Sequence, residues 1–121
     1  METSPYKKDN VVLNLSFDFA LNIITYTELL ESKKKYNMAN QLFKSGTSIH
    51  ANIRKAQNAE SKGDFIHKMK IACKEADESE GWLLLCKHAP SYPNIDGCLE
   101  QLTSIQKLLN KIIGTTKRQI G

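Results

Sequence analysis

Proline is scarce in this 121-residue chain, occurring only at positions 5, 90 and 93. Nothing therefore obliges a helix to break between Asp9 and Ala89, or after Asn94. Cysteine is scarce as well. Cys73, Cys86 and Cys98 contain no CxxC pair, and an odd count behind an N-terminus without an apolar h-region favours reduced thiols over a disulfide framework. Their expected role is that of small buried apolar residues. No apolar run approaches membrane-spanning length, so a soluble, cytoplasmic protein with no membrane partner is expected.

Catalytic signatures are missing too. There is no Walker loop, GxSxG or HExxH. Di-iron bundles need inward carboxylates and Glu-x-x-His pairs on facing helices, and the nearest approach is a single Asp64-x-x-His67, better read as a helix start. His50 and His88 have no acidic or cysteine partner at ligand spacing. Helical nucleases that use an Arg with a His four to six residues later are excluded, since neither Arg54 nor Arg118 has that follower. The expectation is a non-enzyme with no catalytic residue, no metal and no cofactor.

What the chain does contain is helical periodicity, in one domain with 40% hydrophobic residues. Over residues 10–34 the apolar stripe runs Leu13, Phe17, Ala20, Leu21 and Ile24, widened by Phe19, Ile23, Tyr26 and Leu30. Asn37 is a candidate cap for a second helix over 37–59, with the line Met38, Leu42, Ser45, Ile49, Asn52, Ile53, Ala56. Ser61 and Asp64 have capping-box spacing and open a third helix over 62–88, along which Phe65, Met69, Ala72, Ala76, Ser79, Leu83 and Cys86 form a heptad-like line. Pro90 disfavours helical geometry at Ala89. Pro93 and Asn94 introduce a fourth helix over 94–114, with Ile95, Leu99, Leu102, Ile105, Leu109 and Ile112 inward and Gly114 closing it before a basic tail, 115–121. Short links force antiparallel neighbours, so the fold class is all-α, an antiparallel up-down four-helix bundle in one domain.

Polar residues interrupt the core lines at Ser45, Asn52 and Ser79, with Glu75 on the flank of the third helix. Ser45 and Glu75 fall at similar heights in the hairpin. Glu75 is therefore expected to accept a hydrogen bond from Ser45 or Ser48 and to fix register rather than to act in catalysis.

Net charge is +4, yet its distribution is uneven: residues 33–74 hold ten basic and two acidic side chains, whereas 75–100 hold one and six. The helix-two to helix-three turn gathers Arg54, Lys55, Lys62, Lys68, Lys70 and Lys74 near one end of the bundle. On helical wheels Lys44 and Lys55 face outward, as do Lys70 and Lys74. Lys44, Arg54, Lys55, Lys62, Lys70 and Lys74 are thus candidate contacts to an anionic polymer, through phosphates rather than bases, because no aromatic residues interleave with them. Farther along, Trp82-Leu83-Leu84-Leu85 is apolar on every side, although a bundle helix needs only one stripe. Gly81, Trp82, Leu84 and Leu85 are candidate subunit-interface residues.

Gln41-Leu42-x-x-Ser45, Ser48-Ile49-x-x-Asn52-Ile53, Ser61-x-x-Asp64-Phe65 and Ile71-Ala72-x-x-Glu75-Ala76-x-Glu78 followed by Trp82-Leu83 occur in an order that resembles one family. That family comprises the four-helix-bundle proteins named for the 23S rRNA intervening sequence, including the accessory variability proteins of diversity-generating retroelements. One departure is that Arg54-Lys55 follows Asn52-Ile53 where the family usually has Ala-Glu. The resemblance implies a ring-forming homo-oligomer, with a pentamer expected, a basic surface toward RNA or DNA, and in the retroelement branch a reverse transcriptase partner. The function expected is that of a non-enzymatic, oligomeric nucleic-acid-binding accessory protein. The alternative is a scaffold whose basic face meets an acidic protein.

Overall fold

A computed structural model describes residues 3–95 and 97–120. Asp96, inside the span expected for the fourth helix, and Gly121, at the end of the expected tail, lie outside the described residues. Four helices follow one another: α1 Val11–Ser32, α2 Tyr36–Ala56, α3 Lys62–His88 and α4 Cys98–Ile120. They pack only around a square, α1 against α2 and α4, and α3 against α2 and α4. This is the up-down four-helix bundle, with one core running along its axis.

Local chemistry sets most helix ends. Asn10 Oδ1 accepts the Leu13 N–H at 3.2 Å, and Ser61 Oγ accepts the Asp64 N–H at 3.0 Å. The return contact of the capping box goes to Glu60, whose N–H meets Asp64 Oδ2 at 3.1 Å. Helix α2 begins one residue before Asn37, behind Lys35, with no side-chain cap. The reason lies in the preceding turn. Lys34 adopts φ 63°, and the Lys35 N–H returns to Leu30 O at 2.9 Å, so α1 closes by a left-handed turn that leads straight into α2.

Side-chain packing then chooses among the stripes the sequence offers. Leu13, Phe19, Ile23 and Leu30 of α1 are fully buried, while Leu21 is 46% exposed and Ile24 36%. The inward face is therefore rotated from the expected Phe17–Leu21–Ile24 line. Gly46 explains the rotation: a Cβ there would lie 2.8 Å from Ile23 Cγ2, so α2 backbone presses directly on that side of α1. In α2, Leu42, Ser45, Ile49, Ile53 and Ala56 are buried and Asn52 is half-buried, its amide donating to Ser48 O at 2.8 Å. In α3, Ile66 rather than Phe65 joins Met69, Ala72, Ala76, Ser79, Leu83 and Cys86 inside. The three cysteines form no disulfide, and Cys86 and Cys98 are buried.

The fourth helix is displaced along the chain. It starts at Cys98, because Ile95 plugs the core from a non-helical segment and is only 6% exposed. Tyr26 holds that segment by donating its hydroxyl to Pro93 O at 2.8 Å, and Gly97 supplies a turn with φ 76°. At the other end Gly114 does not close the helix. Ile113 is buried, and the residues expected as a tail continue α4 to Ile120.

Glu75 also departs from expectation. The buried Ser79 hydroxyl, not Glu75, is the partner of Ser45, at 2.9 Å between the two oxygens. Glu75 is half-buried and makes no hydrogen bond to either serine. Burial, then the neighbouring Glu78, push its carboxyl above the usual range, with Lys44 opposing them.

Candidate functional site

The up-down path brings the start of α1, the end of α2, the start of α3 and the end of α4 to one end of the bundle. Arg54 and Lys55 arrive there on α2, and Lys62, Lys68 and Lys70 on α3. Lys7 and Lys8 come from the segment before α1, and Lys117 and Arg118 from the last turn of α4. Among the described residues one ion pair forms, Lys68 Nζ to Asp64 Oδ1 at 2.6 Å. Its hydrogen bond is the first cause of the lowered Asp64 carboxyl pKa. Among the described residues the other cations at this end form no ion pair, which leaves their positive charge uncompensated there.

Lys44, Arg54, Lys55, Lys62, Lys70 and Lys74 are all exposed. They do not form a single compact patch. Lys44 lies nearer the middle of the α2/α3 seam, where it acts on Glu75. Arg54 turns toward α1: its Nε–H donates to His50 Nε2 at 3.2 Å and its Nη2 to Pro5 O at 3.3 Å. Lys70 faces the opposite way, toward Lys117 across the α3/α4 seam. That approach is the first cause of a lowered Lys70 pKa.

Behind Arg54 lies a polar chain that the sequence pattern did not reveal. Ser16 Oγ is 2.9 Å from His50 Nδ1 and 2.9 Å from Leu13 O. Because Arg54 Nε–H must donate, His50 Nε2 accepts, Nδ1 carries the proton to Ser16, and the Ser16 hydroxyl donates to Leu13 O. Burial first and Arg54 second hold the His50 pKa below its ordinary value, which matches a neutral ring. Ser16 is fully buried, so this serine–histidine pair is closed to a substrate. A long-range pair of this kind leaves no short-range motif; Ser16 falling one turn from Leu13 and Phe19 on the inner stripe was its only trace. The segment before α1 folds over the same place. Tyr6 donates its hydroxyl to Asp18 at 2.7 Å, its ring meets Phe17 edge-on at 5.3 Å, and Phe17 meets His50 at 5.5 Å.

The apolar part of α3 lies toward the other end. Leu84 and Leu85 are 40% and 56% exposed. Glu78, Gly81, Trp82 and Leu85 line a shallow groove of about 360 Å³, and a Cβ on Gly81 would meet nothing within 4 Å. The Trp82 Nε1–H is buried without a hydrogen-bond partner. Among the described residues no cluster of three or more His, Cys, Asp or Glu side chains is placed to hold a metal, and no helix is long and apolar enough to cross a membrane.

The fold and its spacing have counterparts. A solved structure from Bacteroides thetaiotaomicron VPI-5482, described as a protein with unknown function from the S23 ribosomal protein family, is 40% identical with a TM-score of 0.80. The match covers 84% of this chain and 97% of that one. No curated protein matches the chain. The family model described as the 23S rRNA-intervening sequence protein matches residues 8–111, from the segment before α1 to the middle of α4. With nearly the whole bundle matched, the chain belongs to the 23S rRNA-intervening sequence protein family.

Proposed function

We propose that this chain is a non-enzymatic, oligomeric accessory protein of the cytoplasm that binds nucleic acid through the basic end of its bundle. The observation that carries this reading is the convergence of cations from α2, α3, α4 and the segment before α1, of which only Lys68 meets a carboxylate among the described residues. A phosphate backbone neutralises such a surface and releases counterions. The family's name ties it to 23S rRNA, and the Bacteroides protein is of an S23 ribosomal protein family, which fits a polyanionic partner. Lys44, Arg54, Lys55, Lys62, Lys70 and Lys74 supply the contacts, with affinity electrostatic and indifferent to base identity.

Fluorescence titration of labelled DNA and RNA against salt tests the reading. Lys55→Glu, Lys70→Glu and Lys74→Glu together should weaken binding at least tenfold and flatten its salt dependence. Unchanged binding at low salt would sink it. The groove beside Leu85 supports self-association, with a pentamer expected from the family resemblance and Gly81, Trp82, Leu84 and Leu85 in the contact. Light scattering at micromolar concentration decides this, because a monomer leaves that face without a homotypic role. A reverse transcriptase is the protein partner implied for the retroelement branch. Competition by nonspecific nucleic acid separates strand binding from a scaffold that holds an acidic protein.

A further inference from the structure

The α3/α4 seam has a fixed register that ends in two like charges. Gln106 Nε2 donates to Glu80 Oε1 at 3.0 Å, and one turn on, Cys73, Asp77, Gln106 and Asn110 border a common groove. From that hydrogen bond, Lys70 lies ten residues back along α3 and Lys117 eleven residues forward along α4. At about 1.5 Å per residue these distances agree within roughly 2 Å, so the antiparallel helices deliver both lysines to the same height. Both side chains are exposed there, and Lys117 is the neighbour that lowers the Lys70 pKa. Neither touches a carboxylate among the described residues. Asp77, on the same edge of α3, is seven residues away, about 10 Å, which is a full screening length at ordinary salt.

We propose that Lys70 and Lys117 form a two-cation seat for one phosphate group, supplied by a nucleic-acid backbone crossing the α3/α4 face. The inference rests on the nucleic-acid reading above and deepens it by locating one phosphate and the face on which the strand lies. Two ammonium groups on separate helices, facing one seam with no counter-charge among the described residues, match the two free oxygens of a phosphodiester. An anion between them offsets their mutual repulsion. Lys117 lies in the part of α4 beyond the family match, which ends at residue 111.

The test uses the full-length protein with Lys70→Gln, Lys117→Gln, the double variant, and Lys33→Gln as an equal charge loss at the opposite end. Binding of a 20-base-pair DNA or RNA duplex is measured against salt concentration, after circular dichroism has shown that each variant keeps its helices. Each seam variant should weaken binding roughly threefold or more at 0.1 M salt, and the double variant should lower the salt slope by about one, no more than a single loss. A fall of about two identifies independent contacts and overturns the shared seat, as does an effect no larger than that of Lys33→Gln. In a separate arm, inorganic phosphate is titrated while the side-chain ammonium signals of Lys70 and Lys117 are followed by NMR. If the duplex does not bind but phosphate shifts both signals with one midpoint, the seat stands and the strand reading falls. If the duplex binds and neither signal responds to phosphate, the strand reading stands and the seat falls.

Discussion

The hydroxyl of Ser79 on α3 donates to the hydroxyl of Ser45 on α2, 2.9 Å away, with both residues fully buried. Ser45 in turn is 3.5 Å from Leu42 O, so the pair forms a short chain that ends on a backbone carbonyl. Removing one member of such a pair strands the other, whereas removing both does not. Ser45→Ala should destabilise by about 1–2 kcal/mol, because the Ser79 donor loses its acceptor in the core. The double Ser45→Ala, Ser79→Ala variant should be less destabilised than the two single losses added together. A double-mutant cycle from urea unfolding measures this, and strict additivity would show that the hydroxyls do not act as a pair.

At Gly46 the backbone of α2 lies close against Ile23 of α1. A methyl group there would sit 2.8 Å from Ile23 Cγ2 and 2.9 Å from Cγ1, atoms of a fully buried side chain that has little room to retreat. Alanine gains about 1 kcal/mol in helix propensity, but overpacking costs about 1–3 kcal/mol. Gly46→Ala should therefore be destabilised, and adding Ile23→Val or Ile23→Ala should recover part of the loss. Thermal melting provides the measurement, and a raised midpoint for Gly46→Ala would show that the helices can separate without penalty.

The His50 chain predicts a direction with pH. Its folded-state pKa lies below the ordinary 6.5, so the unfolded state binds the extra proton first. Stability should fall as pH drops through about 6.5 and level off below the folded pKa. Glu75 acts with the opposite sign: its raised pKa lets the folded state take up a proton as pH falls toward the ordinary 4.5. Comparison with His50→Gln isolates the histidine, since the difference in stability between the two proteins should change with pH in that window. A constant difference from pH 7.5 to 5.5 would contradict the assignment.

Lys34 occupies the left-handed region at φ 63°, where a side chain is strained and glycine is not. Lys34→Gly should raise stability by about 0.5–1 kcal/mol, because relief of that strain outweighs the greater freedom glycine has in the unfolded chain. The variant should also leave helix content unchanged by circular dichroism. A lower melting temperature would mean that the turn draws its stability from Lys34 itself.

Much of the fold was legible in the sequence. The core line of α2, and that of α3 from Met69 onward, could be read from regular spacing, and Ser61, Asp64 and Pro90 mark the ends of α3 through contacts made within a few residues. Helix α1 was harder, since its apolar residues offer two overlapping stripes. The choice between them was made on another helix, at Gly46. Helix α4 misled at both ends for the same kind of reason. Ile95 belongs to the helical spacing but serves the core from outside the helix, and Gly114 resembles a stop yet lies within a helix that continues to Ile120.

The candidate site divides along the same line. Sequence alone determined that this chain is a helical bundle with a basic stretch around the α2–α3 turn, because periodicity and charge are properties of neighbouring residues. Tertiary structure decided which cations stand together. It drew Arg54 toward His50 and Pro5, put Lys44 within electrostatic reach of Glu75, and set Lys70 opposite Lys117 across forty-seven residues of chain. The physical reason is that repulsion, burial and hydrogen bonding act through space, and no pattern along one helix encodes what the next helix will place beside it.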